Sequence, residues 1–440
     1  MTAASESDAI TPAVGEMPGV HAGAIIFLGI AAANVGNYAF HLISARTLGP
    51  SAYGDVASLV ALAGLISLPL GGVQVIVARR VATDVAAGRL SEIGAFARRS
   101  MSVAALSGLV LAALLMLVSP LLARALEIDS VAAVVLTAAL AAPAVLTPAL
   151  WGLAQGLQRF WALAVAMGLA PIFRIVAVVI LLASGLGVSG AMAATLLASV
   201  LAIAAPTWAL RRWLGKSAAA AAAAVAHGST AREFAPVVLG LLAITSLTTV
   251  DVVVAKAVLD KDVAGIYASA SLVGRVILYL PAAIVIVLLP KVSSRVAAGQ
   301  DARTILAGSI AVTIAFCLVA TLVYTLGASV VTVVAFGSGF EDVAGLLPLF
   351  AFAMTGFALL NVLLAYHLGR GSSSMSFLLA GGALVQIAAF AAFHGSARQL
   401  LAVSICIAVA LLAAHELLIE PSLVHAGRVL ARIQRRSSRR

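Results

Sequence analysis

Few ionisable side chains interrupt the apolar runs of this 440-residue sequence, so each one that does is informative. A charged group at the centre of a bilayer costs about 2.5–3.5 kcal/mol on insertion scales and therefore faces a protein interior or a wet cavity. Arg275 is the clearest case. It follows Tyr267 and Ser271 and precedes Tyr279 at a constant spacing of four, which sets all four on one helical face. A guanidinium is permanently charged and its paired donors match phosphate oxygens. Ligand contact and structural ion pair are both open to it. Asp251, preceded by Thr245, Thr248 and Thr249, is either the partner of Arg275 on the neighbouring helix or a site for H⁺ or Na⁺. Arg174, three residues after Pro171, is a second candidate for an anion contact, with a structural role as the alternative. Asn34, Asn37, Tyr38, His41 and Ser44 share one face of the first apolar run, as a wet cavity wall or an interhelical hydrogen-bonding seam would require. Lys256, near the outer end of its run, is expected to snorkel. His415 and Glu416, near the inner end of the last run, are expected to be interfacial and are assigned no chemistry.

Other chemistries find little support. Cys317 and Cys406 lie in apolar runs without zinc or disulfide spacing. No metal cluster, Gly-rich nucleotide loop or nucleophile elbow is visible, so no cofactor, metal or enzymatic activity is expected. The adjacent Glu341 and Asp342 lack the second acidic element that a membrane-embedded glycosyltransferase would need. The formal net charge is +10, but Lys and Arg are not interleaved with aromatics, which argues against nucleic acid.

The elements that must hold these residues are membrane helices. The chain is 63% hydrophobic and 10% charged, whereas soluble domains are roughly 45–50% apolar and about 25% charged. Twelve runs are long enough to span, the first covering 22–45, the seventh 236–259 and the eighth 264–289. With the N-terminus inside, 20 of the 27 basic residues fall in inside loops or the C-terminal tail, which orients both termini to the cytoplasm. The expected organisation is a disordered cytoplasmic tail (1–21), a six-helix bundle (22–210), a cytoplasmic linker containing an alanine run (211–234), a second six-helix bundle (235–420) and a basic tail (421–440).

The two bundles read as copies in the same orientation. Pro69 and Pro281, Val73 and Val285, and Arg79 and Lys291 share one offset, and Tyr53 and Tyr267 nearly share it. Transporters are often built from such repeats, with the site between them near the bilayer midplane.

Three segments resemble a known family. The first outer loop reads Arg46-Thr47-Leu48-Gly49-Pro50-Ser51-Ala52-Tyr53-Gly54. Gln155-Gly156-Leu157-Gln158-Arg159-Phe160 follows the fourth span. A stretch from Asp251 through Gly265-Ile266-Tyr267-Ala268 to Leu280-Pro281 and Leu289-Pro290-Lys291 covers spans seven and eight. In order and spacing these are similar to the bacterial polysaccharide and oligosaccharide flippases, in the superfamily that also holds the multidrug and toxic-compound extrusion transporters and the lipid II flippase. The resemblance implies an all-α membrane fold of two six-helix bundles around a V-shaped central cavity. It further implies transfer of a polyprenyl-phosphate-linked saccharide from the inner to the outer leaflet. On that reading Arg275, with Arg174 or Arg46, meets phosphate. Asn34, Asn37, His41 and the tyrosines Tyr267 and Tyr279 meet sugar hydroxyls. The expected protein is a monomer of the cytoplasmic membrane, in contact with membrane lipids, with envelope glycosyltransferases as candidate partners. A cation-coupled multidrug exporter of the same fold and a non-transporting scaffold for envelope biosynthesis are the competing functions.

Overall fold

A computed structural model describes residues 19–67, 70–214, 231–279, 281–337 and 339–422. Most of the two tails and of the 211–234 linker lies outside them. In chain order the helices are α1 (Gly19–Ser67), α2 (Gly71–Ala86), α3 (Leu90–Ala125), α4 (Val131–Ala139), α5 (Ala141–Gly156), α6 (Phe160–Ala183), α7 (Gly187–Leu214), α8 (Ala231–Val258), α9 (Lys261–Gly274), α10 (Val276–Tyr279), α11 (Ala282–Ala297), α12 (Arg303–Leu326), α13 (Ala328–Phe336), α14 (Leu347–Gly369), α15 (Ser374–Ala392) and α16 (Ala397–Ala414). A 3₁₀ turn at Glu341–Gly345 precedes α14, and a π turn at His415–Ile419 ends α16. The described residues contain no strand.

Among the described residues, ten helical stretches are long and apolar enough to cross a membrane. Two departures from uniform spans separate ten from twelve. The first stretch, Ala32–Ala82, counts once although it holds two spans. Its α1 portion kinks at Gly49, whose φ of 77° favours glycine, and Pro50 follows. The eighth expected span is divided into α9, α10 and α11, none of which reaches the required length. The repeat is visible in the same places. α1 ends just before Pro69 and α10 just before Pro281, and the 16-residue helices α2 and α11 follow. Tyr53 and Tyr267 are both fully buried.

Large apolar side chains remain exposed along α3 and α12, including Leu117, Leu121, Leu318 and Leu326. So much exposed apolar surface requires lipid, and closed helices satisfy the backbone there. The chain is a multi-pass membrane protein.

The helices form two compact units. Met1–Ser44 and Leu70–Thr230 make the first, Ala45–Pro69 and Ala231–Arg440 the second. The core of the first joins α2, α3, α5 and α7 through Val81, Ile93, Leu153 and Leu210. Gly152 lets α5 approach α2, since a Cβ there would stand 2.5 Å from the Gln74 carbonyl oxygen. The second unit is built around α14, which buries Phe350, Phe357, Leu360 and Leu363 completely, as an apolar helix without a polar face must.

Close contacts hold the segment 45–69 in the second unit, two of them with α8 and α9. A Cβ at Gly265 would overlap the Pro50 carbonyl oxygen, so α9 crosses this segment at backbone distance. Lys256 Nζ of α8 lies 2.6 Å from Asp55 Oδ1, with side-chain exposures of 1% and 11%. Lys256 does not snorkel. Its ammonium is drawn inward because a carboxylate 201 positions earlier in the chain is folded against it.

Candidate substrate site

The first unit brings one candidate cation together with one candidate asparagine. Where α6 crosses α1, Gly36 admits Pro171 so closely that an added Cβ would stand 2.5 Å from the proline ring. Asn37 is the next residue on α1, and Arg174 is one turn beyond Pro171 on α6, so this crossing sets their side chains side by side. Arg174 Nη1 donates to Asn37 Oδ1 at 3.1 Å, and Nε donates to Thr195 Oγ1 of α7 at 3.1 Å. The guanidinium carbon lies 3.4 Å from the centroid of the Phe40 ring, a cation–π contact. Thr195 can accept because its own hydroxyl proton goes to the Ala191 carbonyl. The remaining nitrogen, Nη2, is buried without a hydrogen-bond partner. Among the described residues Arg174 takes part in no ion pair with a carboxylate. Its charge is held by neutral acceptors and a ring face, which leaves it attractive to an anion. Asn34 and Asn37 are exposed, while His41 is buried with its ring edge-on to Phe40 at 5.2 Å.

The second unit brings Arg275, Asp251 and Tyr267 together differently. Asp251 is 2% exposed. Its Oδ2 accepts from the Tyr267 hydroxyl at 2.9 Å, and its Oδ1 lies 3.3 Å from Arg275 Nη2. Tyr267 packs on Phe350 with ring centroids 5.2 Å apart. Both carboxylate oxygens are thus engaged, and the charge of Arg275 is met within its own unit, although its Nε is buried without a hydrogen bond. The four-residue stripe is interrupted, because α9 stops at Gly274 and Arg275 is the residue that ends it. Tyr279 closes α10, and its side chain lies outside the described residues. Arg46 is exposed and donates from Nε to the Ala335 carbonyl at 2.9 Å and from Nη2 to the Val334 carbonyl. It therefore caps the carbonyl end of α13, where a cation complements the helix dipole.

Sequence reasoning missed Thr195 and Phe40 as the supports of Arg174. A threonine and a phenylalanine in apolar helices carry no signal until the helices are placed. It also missed His367. His415 is not interfacial but fully buried, with Nε2 2.9 Å from Nε2 of His367.

Residues 22–296 match the family described as polysaccharide biosynthesis protein. The chain belongs to that family. The fold agrees with several solved structures. An inward-facing multidrug-resistance MATE transporter of the MOP superfamily superposes with a TM-score of 0.66 at 18% identity, covering 92% of this chain and 96% of that one. The lipid II flippase MurJ, in an inward closed conformation, gives 0.65 at 11% identity over 92% and 87%. A eukaryotic MATE transporter, AtDTX14, gives 0.57 at 17% over 94% and 97%. At these identities the likeness establishes the all-α fold alone. No curated protein matches the chain in sequence.

Proposed function

We propose that this protein is a flippase that moves a polyprenyl-phosphate-linked saccharide from the inner to the outer leaflet by alternating access, for cell-envelope polysaccharide or glycolipid synthesis. Family membership supports a role in polysaccharide synthesis, and the likeness in fold to transporters supports transport rather than catalysis. The observation that carries the reading is Arg174, whose buried Nη2 lacks a hydrogen-bond partner while its other contacts are neutral. A phosphate oxygen would complete its donors as a bidentate pair. The exposed Asn34 and Asn37 on α1 offer amides to sugar hydroxyls. Arg275 is the secondary cation in this scheme, because recruiting it to phosphate requires Asp251 to be protonated or displaced. The same ion pair weakens the drug-exporter alternative, since Asp251 is not available to a cationic drug while it holds Arg275 and Tyr267.

On this reading the protein works in the cytoplasmic membrane with both termini inside and acts on a lipid-linked saccharide as a monomer. The positive-inside distribution of Lys and Arg supports that orientation. The test is flipping of a fluorescent polyprenyl-diphosphate disaccharide in proteoliposomes. R174Q is expected to slow flipping at least tenfold, and R174K to retain part of the rate, because an ammonium keeps the charge but not the paired donors. Wild-type flipping by R174Q would remove the basis for the anion site. Ethidium efflux without flipping would replace the proposal with the drug exporter.

A further inference from the structure

The buried imidazoles of His367 and His415 play no part in the site above. His367 lies in the last turn of α14 and His415 opens the π turn that ends α16. Their side chains meet inside the second unit, Nε2 to Nε2 at 2.9 Å, with ring planes 74° apart. Two imidazole nitrogens at that distance form a hydrogen bond only if one carries a proton and the other a lone pair. The surrounding charges decide which. Glu416 Oε1 lies 3.6 Å from His415 Nδ1, which favours the proton on that nitrogen. His415 Nε2 then accepts, His367 Nε2 donates, and His367 Nδ1 carries a lone pair. Both Nδ1 atoms are buried without a hydrogen-bond partner, and of the two the lone pair on His367 Nδ1 is the open position for an incoming proton.

Charges on the neighbouring elements are already committed. Glu420, just past the π turn, holds Arg303 of α12 at 2.8 Å and Arg370 beyond α14. Among the described side chains of α8, Asp251 and Lys256 are paired with Arg275 and Asp55. On α11, Lys291 is exposed and Arg295 donates to the Asp301 carbonyl. α15 carries no ionisable residue, and the charges of the 3₁₀ turn and Arg398 lie at the opposite helix ends. Among the described residues Glu416 is the carboxylate within ion-pair distance of the pair. One added proton fits this setting. The N–H···N bond survives with His367 as the imidazolium, and Glu416 and Glu420 lie close enough to offset it. A second proton does not fit, because both Nε2 atoms would then be donors on two cations in contact. The π turn is a second, independent feature at the same place. Single π turns are rare in helices and frequent at functional sites, and here the turn begins with His415 itself.

We propose that His367 and His415 form a proton-binding latch. In its neutral and singly protonated forms it fastens the end of α14 to the π turn of α16, and it opens when both imidazoles are charged. Glu420 stays clamped while this happens. Burial alone would raise its pKa, but hydrogen bonds and charge from Arg303 and Arg370 outweigh that and hold it below the usual carboxylate range. Glu420 thus remains tethered, and the opening is confined to the histidine contact.

The test uses the full chain in lipid nanodiscs with ¹⁵N-labelled histidine, H367Q and H415Q serving to assign two of the seven histidines. At neutral pH one ring is expected as the Nε2–H tautomer and the other as Nδ1–H, and the two should titrate in two linked steps. Hydrogen exchange of the 411–420 backbone, corrected for intrinsic rates, is expected to rise at least threefold between pH 7.5 and pH 5. In H367Q/H415Q, where two amides replace the imidazoles without titrating, the rise should vanish. Independent titration of the two rings overturns the proposal. So does a full acid-induced rise in the double variant, or its absence in the wild type once both rings are charged. If the double variant does not fold, the linked titration and the exchange of the wild type still decide.

Discussion

Lys256→Met should expose how firmly the segment 45–69 belongs to the second unit. The Lys256–Asp55 pair is separated by 2.6 Å and is almost fully buried. At an effective dielectric constant of about 20, unit charges at that distance attract by roughly 6 kcal/mol. Removing two ions from water costs several kcal/mol each, so attraction and desolvation nearly cancel and the intact pair adds little net stability. Breaking it is different. Methionine keeps the apolar stem of Lys256 but removes the ammonium from beside the Asp55 carboxylate in a site 11% exposed, at a cost of about 3–5 kcal/mol. Asp55→Asn should cost a similar amount by stranding the ammonium. The double variant D55N/K256M removes both charges and should return to within about 1–2 kcal/mol of wild type, a coupling of several kcal/mol. SDS-induced unfolding in mixed micelles, followed by tryptophan fluorescence, measures each corner of the cycle. If both single variants cost less than about 1 kcal/mol and their effects add, the pair is hydrated and the reasoning fails.

The remaining expectations concern other contacts. Gly265→Ala places a methyl group on the Pro50 carbonyl oxygen with no side chain able to move aside; we expect loss of folded protein on size-exclusion chromatography, and a wild-type elution profile would contradict the close crossing. Gly152→Leu should drive α5 from α2 and cost about 1–3 kcal/mol or more by overpacking, read as a fall in melting temperature in detergent. Glu420→Gln removes a carboxylate shared by Arg303 and Arg370, both partly exposed, so the loss at pH 7 should be about 1 kcal/mol. Because the pKa of Glu420 is depressed in the folded protein, its contribution is present above the unfolded carboxylate pKa and is lost as pH falls through the folded value. Wild type and E420Q should therefore converge in melting temperature only at pH below about 4. Arg46→Ala uncaps α13 at Val334 and Ala335 and should cost about 0.3–1 kcal/mol, with faster hydrogen exchange confined to 328–337.

The membrane-spanning architecture was legible in the sequence because hydropathy and helical periodicity are properties of contiguous residues. Twenty apolar residues span a bilayer whatever they pack against, and the Leu-Pro breaks at Pro69 and Pro281 announce themselves locally. The pairing of Asp251 with Arg275 was within reach for a related reason, since a short connection places their helices side by side. Partners from distant segments were not legible. Asn37 and Arg174 are 137 residues apart and His367 and His415 are 48 apart, and no local pattern distinguishes a buried imidazole pair from two interfacial histidines. Tertiary structure alone decided that Asp55 neutralises Lys256, that Arg46 caps a helix, and that Ala45–Pro69 packs with the second unit. A side chain's electrostatic surroundings are set by whichever helices cross it. Those crossings depend on glycines such as Gly36 and Gly265, where backbones approach, and not on the polarity of the residue itself.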